Sequence, residues 1–324
     1  MLSAQRSLAH DEAVRRLRIA RAPGRQTAAE AAPATTAHKD RTVYDGKHLT
    51  RLPGTQVRTE GSKPSGDVAV DEAYDGTGAT FDMYWQVFQR DSIDNAGLPL
   101  HSTVHYGQAY DNAFWDGSQM IFGDGDGTVF NRFTVSVDVI GHELTHGVTD
   151  HLAALQYQGQ SGALNESMSD VFGSIVKQWQ ANETAAQADW LIGEGLLAAR
   201  INGVALRSMK APGTAYDDPK LGGKDPQPAT MADYVETTDD DGGVHINSGI
   251  PNRAFYLAAT AFGGSSWEHA GRIWYAALAD PKLTSTSTFA QFATRTSAQA
   301  KALFGADAQA TVKAAWKGVG ITAR

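Results

Sequence analysis

The stretch V-I-G-H-E-L-T-H-G-V-T-D, Val139 to Asp150, places two histidines four residues apart with a glutamate beside the first. Val137, Ile140, Leu144, Val148 and Leu152 recur at steps of three and four, which predicts an amphipathic helix over 137–152. His142 and His146 share a face turned away from that stripe, so both imidazoles can reach one tetrahedral metal. Glu143, at the side of that face, is placed to take a proton from water activated by the metal. A further ligand stands in the next helical stretch, S-G-A-L-N-E-S-M-S-D-V-F-G, where Glu166 follows His146 after nineteen intervening residues. Asp170, one turn beyond Glu166, can receive the outer N–H of a ligand histidine. Three protein ligands leave one position for water, the pattern of a catalytic rather than a structural zinc.

Water activated next to a glutamate does hydrolysis. Peptide cleavage also needs donors for an oxyanion and a proton for the leaving amine. His245, in D-D-D-G-G-V-H-I-N-S-G, lies behind two glycines that permit an unusual backbone path, with Asp240 placed to orient its ring. His10, His38, His48, His101, His105, His151 and His269 have no motif around them and read as surface or core residues. The run G-D-G-D-G, Gly123 to Gly127, has the look of a calcium loop but lacks the downstream ligands of one, and reads as a turn.

The elements that must position these residues change character along the chain. From Arg41 to about Asn131 the pattern is strand and turn: R-T-V-Y-D-G-K-H-L with R-L-P-G-T-Q-V-R-T-E-G, then L-H-S-T-V-H-Y-G, then A-F-W-D-G-S-Q-M-I-F-G with an Asp116-Gly117 turn. One helical stretch, about Val68 to Arg90, interrupts them. Beyond Val135 the pattern is helical, over 137–152, 161–181, 248–262, 266–279, 288–303 and 306–317. Strands followed by helices predict an α+β fold, and 324 residues favour two domains. The first forty residues carry seven Lys/Arg against four acids. D-E-A-V-R-R-L-R-I-A reads as a short helix and the Ala/Pro/Thr-rich stretch after it as a flexible linker. Residues 1–40 are thus either a disordered tail or the remnant of a pro-segment. The chain has no cysteine, which excludes disulfides and thiol catalysis. A net charge of −8 gives no reason to expect nucleic acid, and no apolar run suits a membrane span or signal peptide.

H-E-L-T-H, then N-E-S-M-S-D after nineteen residues, then G-G-V-H-I-N-S-G together resemble the thermolysin family of neutral zinc endopeptidases. The resemblance runs from about Arg41 to the C-terminus. It implies a two-lobed zincin fold, with a β-rich domain over 41–153 that ends in the zinc helix, a helical domain over 154–324, and zinc in the cleft between them. It implies one catalytic Zn²⁺ on His142, His146 and Glu166, with Glu143 as general base and Asn165 and Asp170 as partners of the ligand histidines. By the same likeness His245, with Asp240, and Tyr157 stabilise the oxyanion, and Arg207 binds the substrate carbonyl beside the cleaved bond. Asn112 and Ala113 match the edge that bonds substrate backbone. Phe130, Phe133, Val139, Ile192 and Leu206 match the pocket for the residue after the scissile bond, so cleavage before bulky apolar residues is expected.

Departures from the family pattern concern calcium and the N-terminus. Asp138, Asp189 and Glu194 match carboxylates of the family's double calcium site, but Lys177 and Leu191 stand where others belong. At most one Ca²⁺ is expected there, with Lys177 replacing one ion's charge. Residues 1–40 look like the end of the short pro-segment of protealysin-like members. A zinc aminopeptidase is the nearest alternative, disfavoured by its shorter ligand spacing and by the missing Gly-Ala-Met-Glu-Asn motif. A non-enzymatic relative would be expected to have lost Glu143, His245, Tyr157 or Arg207. The resemblance implies a monomer acting on proteins and peptides outside the cell, the alternative being a cytoplasmic protein with non-standard export. Active protein is expected to begin within residues 36–42, and N-terminal sequencing that returned Met1 would contradict this.

Overall fold

The computed structural model describes residues 25–27 and 32–324. The short helix expected near residue 11 lies outside the described residues. The N-terminal lobe is built on a five-stranded sheet of β1 (Arg41–Asp45), β2 (Thr55–Thr59), β3 (Leu100–Val104), β4 (Ala113–Trp115) and β5 (Met120–Phe122), in the order β2-β1-β3-β5-β4. The two expected hairpins form: β1 pairs with β2 and β4 with β5, both antiparallel. Asp116 makes the second turn, its Oδ1 accepting from the N–H of Ser118 at 2.8 Å and of Gln119 at 2.9 Å. Gly117 supplies the left-handed residue at φ 96°. Between β2 and β3 the chain crosses over through helix α1 (Val68–Phe88), so β3 can lie parallel to β1. Asp67 caps α1 by accepting from the backbone of Ala69 and Val70.

Two long helices carry the ligand motifs, α2 (Val137–Leu152) and α3 (Gly159–Ala181). Their separation is set by glycines. A Cβ on Gly173 would stand 2.3 Å from the carbonyl oxygen of Asp138, and one on Gly141 only 3.1 Å from Cα of Gly173. On the other side of α2, Gly76 of α1 leaves room for Ile140, whose Cδ1 is 2.3 Å from where a Cβ would be. Side chains of ordinary size would push the helices apart and separate Glu166 from the two histidines.

The C-terminal lobe adds α4 (Asp240–Asn247), α5 (Gly249–Phe262), α6 (Arg272–Ala279), α7 (Phe289–Phe304) and α8 (Ala306–Gly318). Trp274 of α6 stacks on Trp316 of α8 at 6.0 Å, and Trp316 donates to Thr296 Oγ1 of α7 at 2.8 Å. A Thr288/Gln291 capping box starts α7. The helix expected over 266–279 is α6 preceded by a π-turn over Trp267–Gly271. Two-residue strands pair Leu191–Ile192 with Arg207–Ser208 and Asp217–Asp218 with Gly223–Lys224, in a region where the sequence shows no periodicity.

Residues 25–27 and 32–40 make contacts that the flexible linker suggested by their composition would not. Arg25 donates to the backbone carbonyls of Leu283 and Asp280, and Gln26 N–H to that of His151 at 2.7 Å. Asn95 donates to Ala32, and Lys39 pairs with Asp82 at 2.8 Å. The described part of this segment therefore lies docked on both lobes, through bonds between polar groups that composition does not foretell.

Gly173→Ala tests the helix contact. It is expected to cost about 2–3 kcal/mol by overpacking against backbone that cannot yield, read as a lowered Tm with reduced zinc content.

Candidate active site

His142 and His146 project from α2 toward Glu166 on α3, and all three side chains are buried. The two Nε2 atoms are 3.1 Å apart, and each lies 3.4 Å from an oxygen of Glu166. Outer partners fix the tautomers. Asn165 donates its amide to Leu155 O at 3.2 Å, so its Oδ1 faces His146 Nδ1 at 2.7 Å and must accept. His142 Nδ1 likewise donates to Asp170 Oδ1 at 2.8 Å. Both Nε2 lone pairs then point at one another and at a carboxylate, an arrangement that only a cation makes favourable. Burial opposes charge on His142, but the Asp170 and Glu166 carboxylates outweigh it and push the imidazole up to about 10. Burial would likewise raise Glu166, yet the His245, His146 and His142 rings hold it well below the usual carboxylate range. The pocket demands positive charge, and two imidazoles with one carboxylate are the donor set that zinc takes.

The residues expected to handle the oxyanion converge on the same carboxylate. Tyr157 donates its hydroxyl to Glu166 Oε1 and lies 3.1 Å from His245 Nε2, which is itself 3.5 Å from Glu166 Oε1. His245 is aimed by Asp240, whose two oxygens take the ring Nδ1–H at 2.6 Å and the backbone N–H at 2.8 Å. The chain reaches this geometry through four consecutive left-handed residues, Asp240 at φ 54°, Asp241 at 50°, Gly242 at 83° and Gly243 at 74°. Two glycines carry half of that path at no steric cost, as the sequence suggests, while the two aspartates adopt it with some strain. Gln227, which the sequence did not single out, donates to His245 O at 2.7 Å and pins the turn from behind.

Glu143 flanks the ligand pair and accepts from Trp115 N–H at 3.2 Å, so β4 sits directly beside it. Asn112 and Ala113 lie at the start of that strand, which forms one edge of the sheet. Arg207 binds Asp170 through Nε at 2.8 Å and Nη2 at 2.7 Å. Its Nη1 takes part in neither of those bonds. Phe133, Val139 and Ile192 are buried, Phe130 and Leu206 half-buried, and Phe130 lies 5.5 Å from Phe133 between ring centres.

At the carboxylates expected to hold calcium, the ammonium of Lys177 lies 2.7 Å from Asp189, 3.0 Å from Glu194 and 3.8 Å from Asp138. Asp138 also accepts from Ser136 Oγ and Gly193 N–H. The G-D-G-D-G run is a turn, as expected: Asp126 Oδ1 accepts from Thr128 and Val129, both at 2.7 Å.

A two-lobed α+β fold with a His/His/Glu centre between a sheet lobe and a helical lobe defines a zinc metallopeptidase of the thermolysin type. The family model for the thermolysin metallopeptidase catalytic domain matches residues 24–150, and that for its alpha-helical domain matches 153–321. The chain belongs to this family of neutral zinc endopeptidases, in which catalytic zinc is used and calcium is typical. It is 57% identical over 285 residues to "Extracellular metalloprotease" of Pectobacterium carotovorum, covering 88% of this chain and 82% of that one. It is 42% identical to "Thermolysin" of Alicyclobacillus acidocaldarius over 86% of this chain, spanning 50% of that protein. Among solved structures it is similar to the precursor of protealysin from Serratia proteamaculans, with a TM-score of 0.88, 59% identity and 90% of each chain covered.

Asp170→Asn removes the charge behind His142 and offers an amide to Arg207. Zinc affinity is expected to fall about 10–100-fold, measured by competition with a chelator of known affinity.

Proposed function

We propose that the chain hydrolyses peptide bonds on the N-terminal side of bulky hydrophobic residues, outside the cell. The observation that carries this reading is the convergence of His245 and Tyr157 on the buried His142–His146–Glu166 centre. Zinc held by those three residues would supply the Lewis acid that polarises the scissile carbonyl and activates water. Glu143 takes the proton from the attacking water and passes it to the leaving amine. His245 Nε2 and Tyr157 Oη donate to the oxyanion, with Asp240 holding the imidazole in place for that task. Arg207 is held by Asp170 so that Nη1 can reach the carbonyl beside the cleaved bond. An extended substrate runs along Asn112 and Ala113, using the edge of the sheet as a docking strand. Phe130, Phe133, Val139, Ile192 and Leu206 line the pocket after the scissile bond, where an apolar side chain loses its contact with water.

Casein digestion with and without 1,10-phenanthroline, beside Glu143→Ala, tests the assignment. Both treatments are expected to abolish hydrolysis, the variant by roughly 10²–10⁴-fold or more while keeping its zinc. Activity that survived both would sink the reading. Tyr157→Phe is expected to lower kcat by about 10²-fold with little change in KM. A product map of denatured protein should show new N-termini dominated by Leu, Phe and Ile.

Lys177 also takes over calcium's structural role at Asp138, Asp189 and Glu194 in this reading. Added calcium is then expected to leave the Tm unchanged, whereas Lys177→Glu makes stability calcium-dependent. A wild-type Tm that climbed with calcium at this site would contradict it.

A further inference from the structure

Three residues outside the catalytic centre, none given a role by the sequence, meet on the sheet lobe: His48, His105 and Asp124. Their donor atoms all lie within 4.8 Å of one another. His48 Nδ1 is 3.4 Å from Asp124 Oδ2, and His105 Nδ1 is 2.9 Å from both Asp124 oxygens. Two ligand atoms at zinc–ligand distances are separated by about 3.3 Å in a tetrahedron. The first pair already stands at that separation, the one seen between the ligand histidines and Glu166 in the catalytic centre. The second pair needs to open by a few tenths of an ångström.

The three donors come from separate segments, each fixed by backbone bonds. The turn carrying His48 is tied to the end of β3 by Gly46 N–H to Val104 O at 2.9 Å and His48 N–H to His105 O at 2.8 Å. The turn carrying Asp124 is tied by Gly123 N–H to Asn112 O at 3.0 Å and Gly125 N–H to Tyr110 O at 3.1 Å. His48 and His105 both adopt left-handed backbone, at φ 57° and 53°. The far nitrogen of the His105 ring faces a second carboxylate, Asp67, at 3.1 Å. A carboxylate behind a ligand imidazole fixes its tautomer and raises its basicity, the same service that Asp170 gives His142. A protonated His105 held between Asp67 and Asp124 would explain two of these contacts. It would leave unexplained why the largely exposed His48 turns Nδ1 toward the same carboxylate rather than to water.

We propose that His48, His105 and Asp124 form a second metal site, taking a borderline divalent ion such as zinc at the rim of the sheet lobe. Two imidazoles and one carboxylate exclude calcium and magnesium, which prefer oxygen ligands. The partial exposure of His48 makes the site weaker than the catalytic one and open to water on its remaining positions. A bound ion would clip together the turn after β1, the end of β3 and the turn that leads into Phe130.

The holoenzyme equilibrated with excess zinc chloride and freed of unbound metal tests this by elemental analysis. The expected result is one zinc per chain beyond the catalytic ion in the wild type and in a His38→Ala control, and loss of that extra ion in His48→Ala. The excess zinc should also raise the Tm of the wild type and not that of His48→Ala, a surface variant expected to fold normally. No additional zinc in the wild type, or an additional ion that persists in His48→Ala, would overturn the proposal. Loss of the extra ion in His38→Ala as well would also overturn it, because binding would then be general to surface histidines.

Discussion

The carboxylate of Asp170 is fully buried and accepts four hydrogen bonds, one from His142, two from Arg207 and one from Asn252. An unpaired charge at that depth would be prohibitive, so the groups that satisfy it are not free to move. They come from α2, from the short strand at Arg207 and from α5, which makes this one anion the point where the zinc helix, the cleft and the helical lobe are tied together. Burial pushes its pKa up, but the Arg207 guanidinium, with His142, holds it well below the usual carboxylate range. The stabilisation is therefore fully present above the ordinary Asp value and is lost only in strong acid, as pH falls through the depressed value. Arg207 shares in the effect, since a guanidinium with two nitrogens committed to one carboxylate has a fixed plane.

Around that anion the catalytic centre depends on how near two helices come. Gly141 and Gly173 bring the backbones of α2 and α3 almost into contact. Glu166 then falls opposite both histidines. Ile140, on the far side of α2, fills the hollow left by Gly76. The spacing of His142, His146 and Glu166 in the sequence thus suits two helices joined by a short connection and packed at a glycine contact.

These relations explain what could be read in advance. Residues on one helix keep their relative angles in any fold, so the pairs His142/His146 and Glu166/Asp170 were legible from periodicity alone. The hairpin at Asp116-Gly117 and the segregation of strands from helices were legible for the same local reason. Contacts made only by tertiary closure were not. The strand at Arg207 is two residues long and has no pattern to detect. His48, His105 and Asp124 are far apart in sequence and meet because three turns stack at one end of the sheet. Arg25 sits in a stretch whose composition suggests a linker, yet it binds backbone carbonyls more than two hundred residues away. A guanidinium needs only acceptors with the right spacing, and those acceptors belong to a turn that does not exist until the helical lobe has folded.

Lys177 shows how one side chain can alter what a site requires of its surroundings. Burial opposes its charge, but Asp138, Asp189 and Glu194 raise its pKa above the ordinary lysine value. Its contribution is complete below that ordinary value and fades only as pH rises through the raised one. Asp189 shifts the opposite way, its rise from burial outweighed by the Lys177 ammonium and the Leu191 N–H, so its share holds above the ordinary Asp value and fades as pH falls. The two windows overlap across the whole neutral range. A divalent ion at such a cluster would bind more oxygens and neutralise more charge, but its occupancy would follow the calcium concentration. An ammonium attached by four methylenes is always present, at the cost of leaving the cluster with excess negative charge near α2. That excess lies on the side of α2 where Asp138 is buried, and Asp138 is stabilised further by the hydroxyl of Ser136 and the N–H of Gly193. Burial still outweighs Lys177 and these donors and holds the Asp138 pKa above its ordinary value, so the neutral hydrogen bonds supply only part of what a second positive charge would.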